Sequence, residues 1–257
     1  MNDLTAHLAD LRTEAPDGLE DRVLAATGHA DRYVTRPSPL GTLFVSFNHR
    51  GVNAVDLADD SDSFERIHRE RTGRAAVPAD IEPPFLARRL DAAIAEGRPG
   101  SLPLDLSDLT EFQRSVLLKA AEIPSGEVRP YGWIAKEIGK PGAVRAVGSA
   151  LARNPVPVII PCHRVVRSDG SLGRYSLGED ANKEVLLEAE GLPLEEFLDL
   201  ARHGVRFVGT TSTGIFCHPT CGHSLRARAE NRVDFTSEQD ALQAGYRPCK
   251  VCRPVAA

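Results

Sequence analysis

The 257-residue chain lacks any apolar run of about 18 residues, which excludes an ordinary membrane-spanning helix. Its first ten residues hold two acids and no Lys or Arg, so the basic start and apolar stretch of a secretory signal are missing too. No internal repeat or low-complexity tract is present. Cysteine is scarce and odd in number, at five. That count argues against a disulfide framework and for reduced thiols inside a cell. An excess of one charge sign is also absent, with 31 Lys+Arg against 36 Asp+Glu. With 42% apolar and 26% charged residues, the composition is that of a folded protein and not a disordered one. The length suits one large domain or two or three small ones.

The modest net charge of −5 conceals an uneven distribution. Residues 126–175 carry eight Lys/Arg against three Asp/Glu, and residues 201–257 carry eight against four. Local positive charge is what phosphate binding needs, so both segments are candidate polyanion contacts. On charge alone, two solvated surfaces are the simpler reading.

Leu4, Leu8 and Leu11 repeat at helical spacing, and 19–26 reads as a second short helix. Residues 42–48 alternate, His49-Arg50-Gly51 turns, and 52–57 returns, which predicts a β-hairpin with Leu43, Val45 and Phe47 on one face. Residues 64–71 and 85–95 read as helices, and 97–100 as a linker. Thr110 and Gln113 form a capping box ahead of a helix whose buried stripe is Phe112, Val116 and Ala120. Short helices over 131–138 and 143–153 flank a turn with Gly139, Pro141 and Gly142, the layout of a helix-turn-helix. The second of them has Val144, Val147, Gly148 and Leu151 as its inward stripe and Ala146, Ser149, Ala150 and Arg153 opposite. Small residues there permit close approach to something narrow, such as a minor groove roughly 6 Å wide, or equally to another helix. Residues 156–160 read as a buried strand leading to Pro161-Cys162-His163-Arg164, and 183–190 as a helix ending at Gly191.

Four of the five cysteines cluster at the end of the chain. Cys217 and Cys221 are separated by three residues, Cys249 and Cys252 by two, with 27 between the pairs. Two short cysteine turns on a segment this small are the usual way to build a tetrahedral zinc site, which also supplies folding free energy. Disulfides conflict with a reducing compartment, and buried free thiols would not cluster this way. His218 and His223 flank the cluster, but four thiolates already fill a site. Ser237 and Asp240 mark a short helix start, and Gly245 its end. The fifth cysteine, Cys162, adjoins His163. A thiolate is a nucleophile when an imidazole or a helix N-terminus lowers its pKa, and a third group should orient that imidazole. Neighbours on a strand point apart, so the pair needs a turn or a bridging water.

Residues 126–191 resemble the active domain of O6-alkylguanine-DNA alkyltransferases. The resemblance rests on Gly126-Glu127-Val128, Tyr131, Arg145-Ala146-Val147-Gly148, Asn154-Pro155-Val156-Pro157, Ile160-Pro161-Cys162-His163-Arg164-Val165-Val166, Gly173-Arg174-Tyr175-Ser176, Lys183-Glu184 and Glu190-Gly191. Residues 33–57 resemble the family's N-terminal hairpin more weakly, through Ser38-Pro39-Leu40-Gly41. Residues 207–254 resemble the zinc domain of Ada-type proteins, through Thr213-Gly214-Ile215-Phe216-Cys217, Cys221, Glu230-Asn231-Arg232-Val233 and 245–252. In that family the zinc domain comes first, whereas here it is last.

The resemblance implies an α+β multidomain chain. It would have an N-terminal helical extension (1–30), a small β-hairpin/sheet domain with helices (31–100), a mostly helical helix-turn-helix alkyl-acceptor domain (105–200) and a small four-cysteine zinc domain (201–257). It further implies a single-turnover DNA-repair methyltransferase in which Cys162 takes the alkyl group of a flipped guanine. His163 would receive the thiol proton through a water, Glu190 would hold the imidazole, and Asn154 would brace the loop. Tyr131 would crowd the target phosphate and donate a proton toward the leaving base. Tyr175, Ser176 and the main chain of Val165 would line the base pocket. Arg145 would fill the vacated stack, with Ala146, Ser149 and Arg153 on the duplex. The implied partner is double-stranded DNA, read in the minor groove without sequence preference. Zn²⁺ would sit on Cys217, Cys221, Cys249 and Cys252, with Cys217 as a second acceptor of methyl from methylphosphotriesters. Loss of a thiolate charge beside Arg226, Arg228 and Arg232 would tighten phosphate binding. A monomer in the cytoplasm, on the nucleoid when bound to DNA and away from membranes, is expected.

Two features depart from the pattern. Four residues separate Gly178 from Lys183 where three are usual, and Leu177 stands where Gly is common, so the pocket rim and the preferred alkyl size differ. Only 253–257 follow the zinc segment, so a transcription-activating module is not expected. Two rivals remain: a cysteine hydrolase, which needs an oxyanion hole and would turn over, and a non-enzymatic damage sensor, which would not need Cys162.

Overall fold

A computed structural model describes residues 27–79 and 81–254, with Leu19, Val23 and Leu24 besides. The leucine repeat at residues 4, 8 and 11 lies outside the described residues. Leu19, Val23 and Leu24 are helical, and the remainder of 19–26 is likewise outside them.

The expected hairpin is the centre of a larger sheet. Strands β1 (Ala30–Ser38), β2 (Gly41–Asn48), β3 (Gly51–Leu57) and β4 (Ala75–Pro78) lie in the order β3-β2-β1-β4. β2 pairs antiparallel with both neighbours, and β4 runs parallel to β1. Both faces of β2 are covered, so the run from Leu43 to Phe47 is buried throughout. Leu43, Val45 and Phe47 join the main core, while Phe44 stacks on Phe64 of helix α1 (Ser61–Thr72) at 5.0 Å. Asp60 caps α1 by accepting from Ser63 N at 2.8 Å. Helix α2 (Pro84–Glu96) then ends on Gly97, whose φ of 57° is the left-handed conformation that glycine adopts without penalty.

Helix α3 (Glu111–Ala120) opens with the reciprocal Thr110–Gln113 capping box. After it come β5 (Arg129–Pro130), α4 (Tyr131–Glu137) and α5 (Val144–Leu151), the helix-turn-helix read in the sequence. β5 pairs in parallel with β6 (Val165–Val166), Arg129 opposite Val165. Helices α6 (Ala181–Ala189) and α7 (Leu194–Arg202) close this part, and α7 runs across the expected boundary between residues 200 and 201. One apolar core joins the first sheet to the helices, through Val45, Val55, Leu90, Val116, Ile134, Val147 and Ile159.

The C-terminal segment forms a second sheet, in the order β10 (Arg247–Pro248), β8 (Ile215–Cys217), β7 (Phe207–Thr210) and β9 (Arg232–Phe235). Two short helices, α8 (Gly222–Leu225) and α9 (Glu238–Gln243), accompany it, and Ser237 caps α9 by accepting from Asp240 N. Its own core is Phe216, Phe235 and Ala241. A Cβ on Gly209 would lie 2.7 Å from both the Phe235 and Tyr246 rings, so only glycine lets them close over the sheet.

Three expectations need correction. Residues 156–160 form a buried turn and not a strand, with a bridge from Pro157 to Ile160 and Val158 at a φ of 70°. Pro155, Pro157 and Pro161 remove the N–H groups a ladder would need. On α5, Val144 is 40% exposed and Ala150 only 3%, so the inward face is rotated from the one expected and is built from Val147, Ala150 and Leu151. Finally, 97–100 is more than a linker, because Gly97 packs directly on the candidate site.

Candidate functional site

The buried turn delivers the chain to a single 3-10 turn, Cys162–Arg164. Asn154 staples it from within: its amide donates to Ile160 O at 2.8 Å and to Cys162 Sγ at 3.3 Å, while its oxygen accepts from Val156 N at 3.1 Å. The turn supplies the departure from strand geometry that adjacent Cys and His side chains require to serve one site.

His163 is fully buried, and its Nε2 lies 2.7 Å from Glu190 Oε1. Its Nδ1 has no protein partner. With Nε2–H donating to Glu190, Nδ1 presents a lone pair and can accept a proton. Burial holds the imidazole below its ordinary pKa, against the pull of Glu190, so it is neutral at pH 7. Glu190 closes α6 as its C-cap and also receives the buried Arg164 guanidinium, with Nε at 2.9 Å and Nη2 at 2.7 Å. Burial would raise the Glu190 carboxyl, but His163 and Arg164 together bring it down to about 2. The carboxylate is therefore ionised at any physiological pH.

The expected depression of the Cys162 pKa is not found. Burial pushes the thiol up, and the Asn154 amide and the Lys183 charge oppose this only in part. The resting sulfur is therefore a thiol.

Tyr131, at the start of α4, lies over α5: a Cβ on Gly148 would sit 3.8 Å from its ring, and one on Gly173 3.5 Å from its hydroxyl. Burial raises its pKa, and so does Cys162. Tyr175 stands edge-on to His163, at 6.2 Å and 88°, with a buried hydroxyl that has no partner. Ser176 is exposed at the rim. The structure thus gathers Cys162, His163, Glu190, Asn154, Tyr131, Val165, Tyr175 and Ser176. Arg145, Ala146, Ser149 and Arg153 are all exposed, the first three on α5 and Arg153 just beyond it.

Two contributors escaped the sequence reading. Arg164 also donates to Ile123 O at 2.6 Å and to Glu96 O at 3.1 Å, tying α2 and the end of α3 to the site. Lys183 donates to Val165 O at 2.6 Å and to Leu172 O at 2.5 Å, and burial lowers it to about 8. Its signal was its place three and four residues before Leu186 and Leu187, on a stripe that is buried throughout.

The Sγ atoms of Cys217, Cys221, Cys249 and Cys252 lie within 4.8 Å of one another, and all four residues are buried. Tetrahedral zinc at about 2.3 Å from each sulfur needs such spacing. Four sulfurs with no carboxylate among them suit Zn²⁺ over harder cations. His218 is buried nearby and His223 exposed, and neither belongs to the cluster.

Both regions of the chain match known protein families. The family model for the DNA binding domain of 6-O-methylguanine DNA methyltransferase matches residues 111–192, and that for the metal binding domain of Ada matches 197–255. A methylated-DNA–protein-cysteine methyltransferase from Methanosarcina barkeri is 42% identical over 159 residues, which are 60% of this chain and 92% of that protein. The bifunctional transcriptional activator/DNA repair enzyme Ada of Escherichia coli is 38% identical over 159 residues, 61% of this chain and 45% of Ada. A crystal structure of Mycobacterium tuberculosis OGT in complex with DNA shares 33% identity, covers 65% of this chain and 99% of its own, and superposes with a TM-score of 0.48. The chain belongs to the methylated-DNA–protein-cysteine methyltransferase family and carries an Ada-type zinc domain at its C-terminal side.

Proposed function

We propose that this protein repairs DNA by moving the alkyl group of O6-alkylguanine onto Cys162 Sγ, once per molecule. The observation that carries the reading is the His163 imidazole, neutral, clamped to Glu190 through Nε2 and open at Nδ1 beside a buried thiol. In the reaction the thiol proton passes through a water to His163 Nδ1. The sulfur bonds to the alkyl carbon, and the carbon–O6 bond breaks with its electron pair going to the base. Tyr131 gives the leaving base a proton and is reprotonated through solvent by the proton His163 took up, so guanine departs neutral and Cys162 is left as a thioether. No group at the site hydrolyses a thioether, so the protein is consumed.

The base must leave the stack to reach this site. Arg145 fills the gap, and Ala146, Ser149 and Arg153 meet the minor groove of duplex DNA without reading sequence. Tyr175, Ser176 and the Val165 main chain receive the base, and Asn154 holds the loop. Zn²⁺, when bound, keeps the four sulfurs deprotonated, and Cys217 is the second acceptor, taking methyl from a backbone methylphosphotriester. The same reading divides the chain at 1–30, 31–100, 105–200 and 201–257 and takes it as a monomer working in the cytoplasm. Among the described residues, no helix is long and apolar enough to cross a membrane.

Peptide mass mapping tests this. After incubation with duplex DNA containing O6-methylguanine, one methyl is expected on Cys162, none on Cys217, and no methylated protein in Cys162→Ala. A methylphosphotriester duplex should label Cys217 instead, and only with zinc loaded. No added mass on Cys162 in folded protein contradicts the reading.

A further inference from the structure

The zinc segment is fastened to the stretch of chain that builds the site. The loop between Cys217 and Cys221 contributes Thr220, whose hydroxyl is buried, accepts from Val128 N at 2.9 Å and donates to Val128 O at 3.3 Å. Next to Cys221, Gly222 N donates to Glu127 Oε1 at 2.9 Å. The second cysteine pair grips the other end: the Cys252 carbonyl accepts from Trp133 Nε1 at 3.0 Å, and Arg253 pairs with Glu137 at 2.8 Å. The Trp133 ring lies close to both the Arg129 and Arg253 guanidinium groups, at 5.9 and 5.7 Å. Both cysteine turns therefore clasp residues 127–137.

Those residues lead to the chemistry by two short paths. Tyr131 lies inside the clasped stretch. Arg129 pairs with Val165 in the β5–β6 ladder, next to the Cys162–Arg164 turn. Arg129 is buried and paired with Glu127, whose other carboxylate oxygen accepts from Gly222 N beside Cys221.

We propose that the zinc centre is also a positioning group for the Cys162 reaction: zinc loading fixes residues 127–137 through Thr220, Trp133 and Arg129, and so fixes Tyr131 and the β5–β6 ladder beside Cys162. This rests on the proposed function for the reaction it names, but the clasp itself does not. Coupling of this kind is reciprocal, so residues of the clasp also help retain the metal.

Trp133 is the only tryptophan in the chain, which makes it a reporter needing no repair activity. In the full-length protein, stripping zinc with a chelator is expected to shift Trp133 emission to the red. It should also speed amide exchange in 127–137 and 165–166, with β1–β3 unchanged. Thr220→Val, with zinc still bound, should reproduce part of both changes and slow alkylation of Cys162 about fivefold, the worth of one buried hydrogen bond. Thr220→Ser, which keeps the hydroxyl, should restore the rate. Trp133→Phe should speed zinc release to a chelator. Unchanged emission and exchange after zinc removal would overturn the proposal, as would exchange rising equally in β1–β3. Emission and exchange that respond while Cys162 accepts no alkyl group would uphold the clasp and refute the repair reading instead.

Discussion

At the scale of single residues, the site works by separating proton states that composition cannot reveal. Cys162 is held as a thiol by burial, and His163 is held neutral beside it. Glu190, at about 2, keeps its charge. A carboxyl whose folded pKa lies below its ordinary value of 4.5 adds stability in full above that value and loses it as pH falls toward about 2. Glu190→Gln is therefore expected to cost on the order of 3 kcal/mol near neutrality and almost nothing near the folded pKa. Denaturant midpoints of the two proteins, followed downward from neutral pH, should converge. A gap that does not change with pH would remove the carboxylate's role in the fold. Alkyl transfer should fall in the same variant, since a glutamine amide can turn its NH2 or its oxygen to His163 and no longer fixes the tautomer or balances an imidazolium.

At the scale of elements, the site depends on a glycine far away in the chain. A Cβ on Gly97 would come within 2.2 Å of Arg164 Nη2 and 3.0 Å of Glu190 Oε1, and its φ is 57°. Gly97→Ala is expected to destabilise by about 2–4 kcal/mol and to slow alkylation roughly tenfold. Gly73→Ala is the control: φ is 70° but nothing lies within 4 Å, so about 1 kcal/mol and an unchanged rate are expected. Thermal melts and single-turnover rates on both variants check this, and equal effects would deny Gly97 its place at the site. Legibility in the sequence follows the range of each signal. Capping residues disclose α3 and α9, and punctuation by Gly139, Pro141 and Gly142 discloses the two helices around that turn, because these signals are local. β1, β4 and the C-terminal sheet are not legible in this way, since their pairing partners lie far along the chain. Residues 156–160 read as a strand because a buried turn and a buried strand share one apolar pattern. The Cys162–His163–Glu190 line is legible only through family resemblance: nothing in the spacing of these residues says that the carboxylate returns to the imidazole.

At the scale of the whole molecule, an acidic chain keeps two basic segments, and the structure brings them together. Arg129, in the first segment, is buried against Trp133 and paired with Glu127, so part of that charge serves the fold and not DNA. Arg145 and Arg153 are exposed, as are Arg226, Arg228, Arg247 and Lys250 in the second. The cysteines divide in the same manner, four gathered in one cluster and one, Cys162, standing apart from it. A molecule organised to sacrifice that one sulfur has a stoichiometric limit. The direct measurement is the amount of guanine restored when a fixed amount of zinc-loaded protein meets excess duplex carrying O6-methylguanine. Restoration is expected to stop at one equivalent of active protein; continued turnover, or none by protein whose Cys162 is intact and folded, would contradict it.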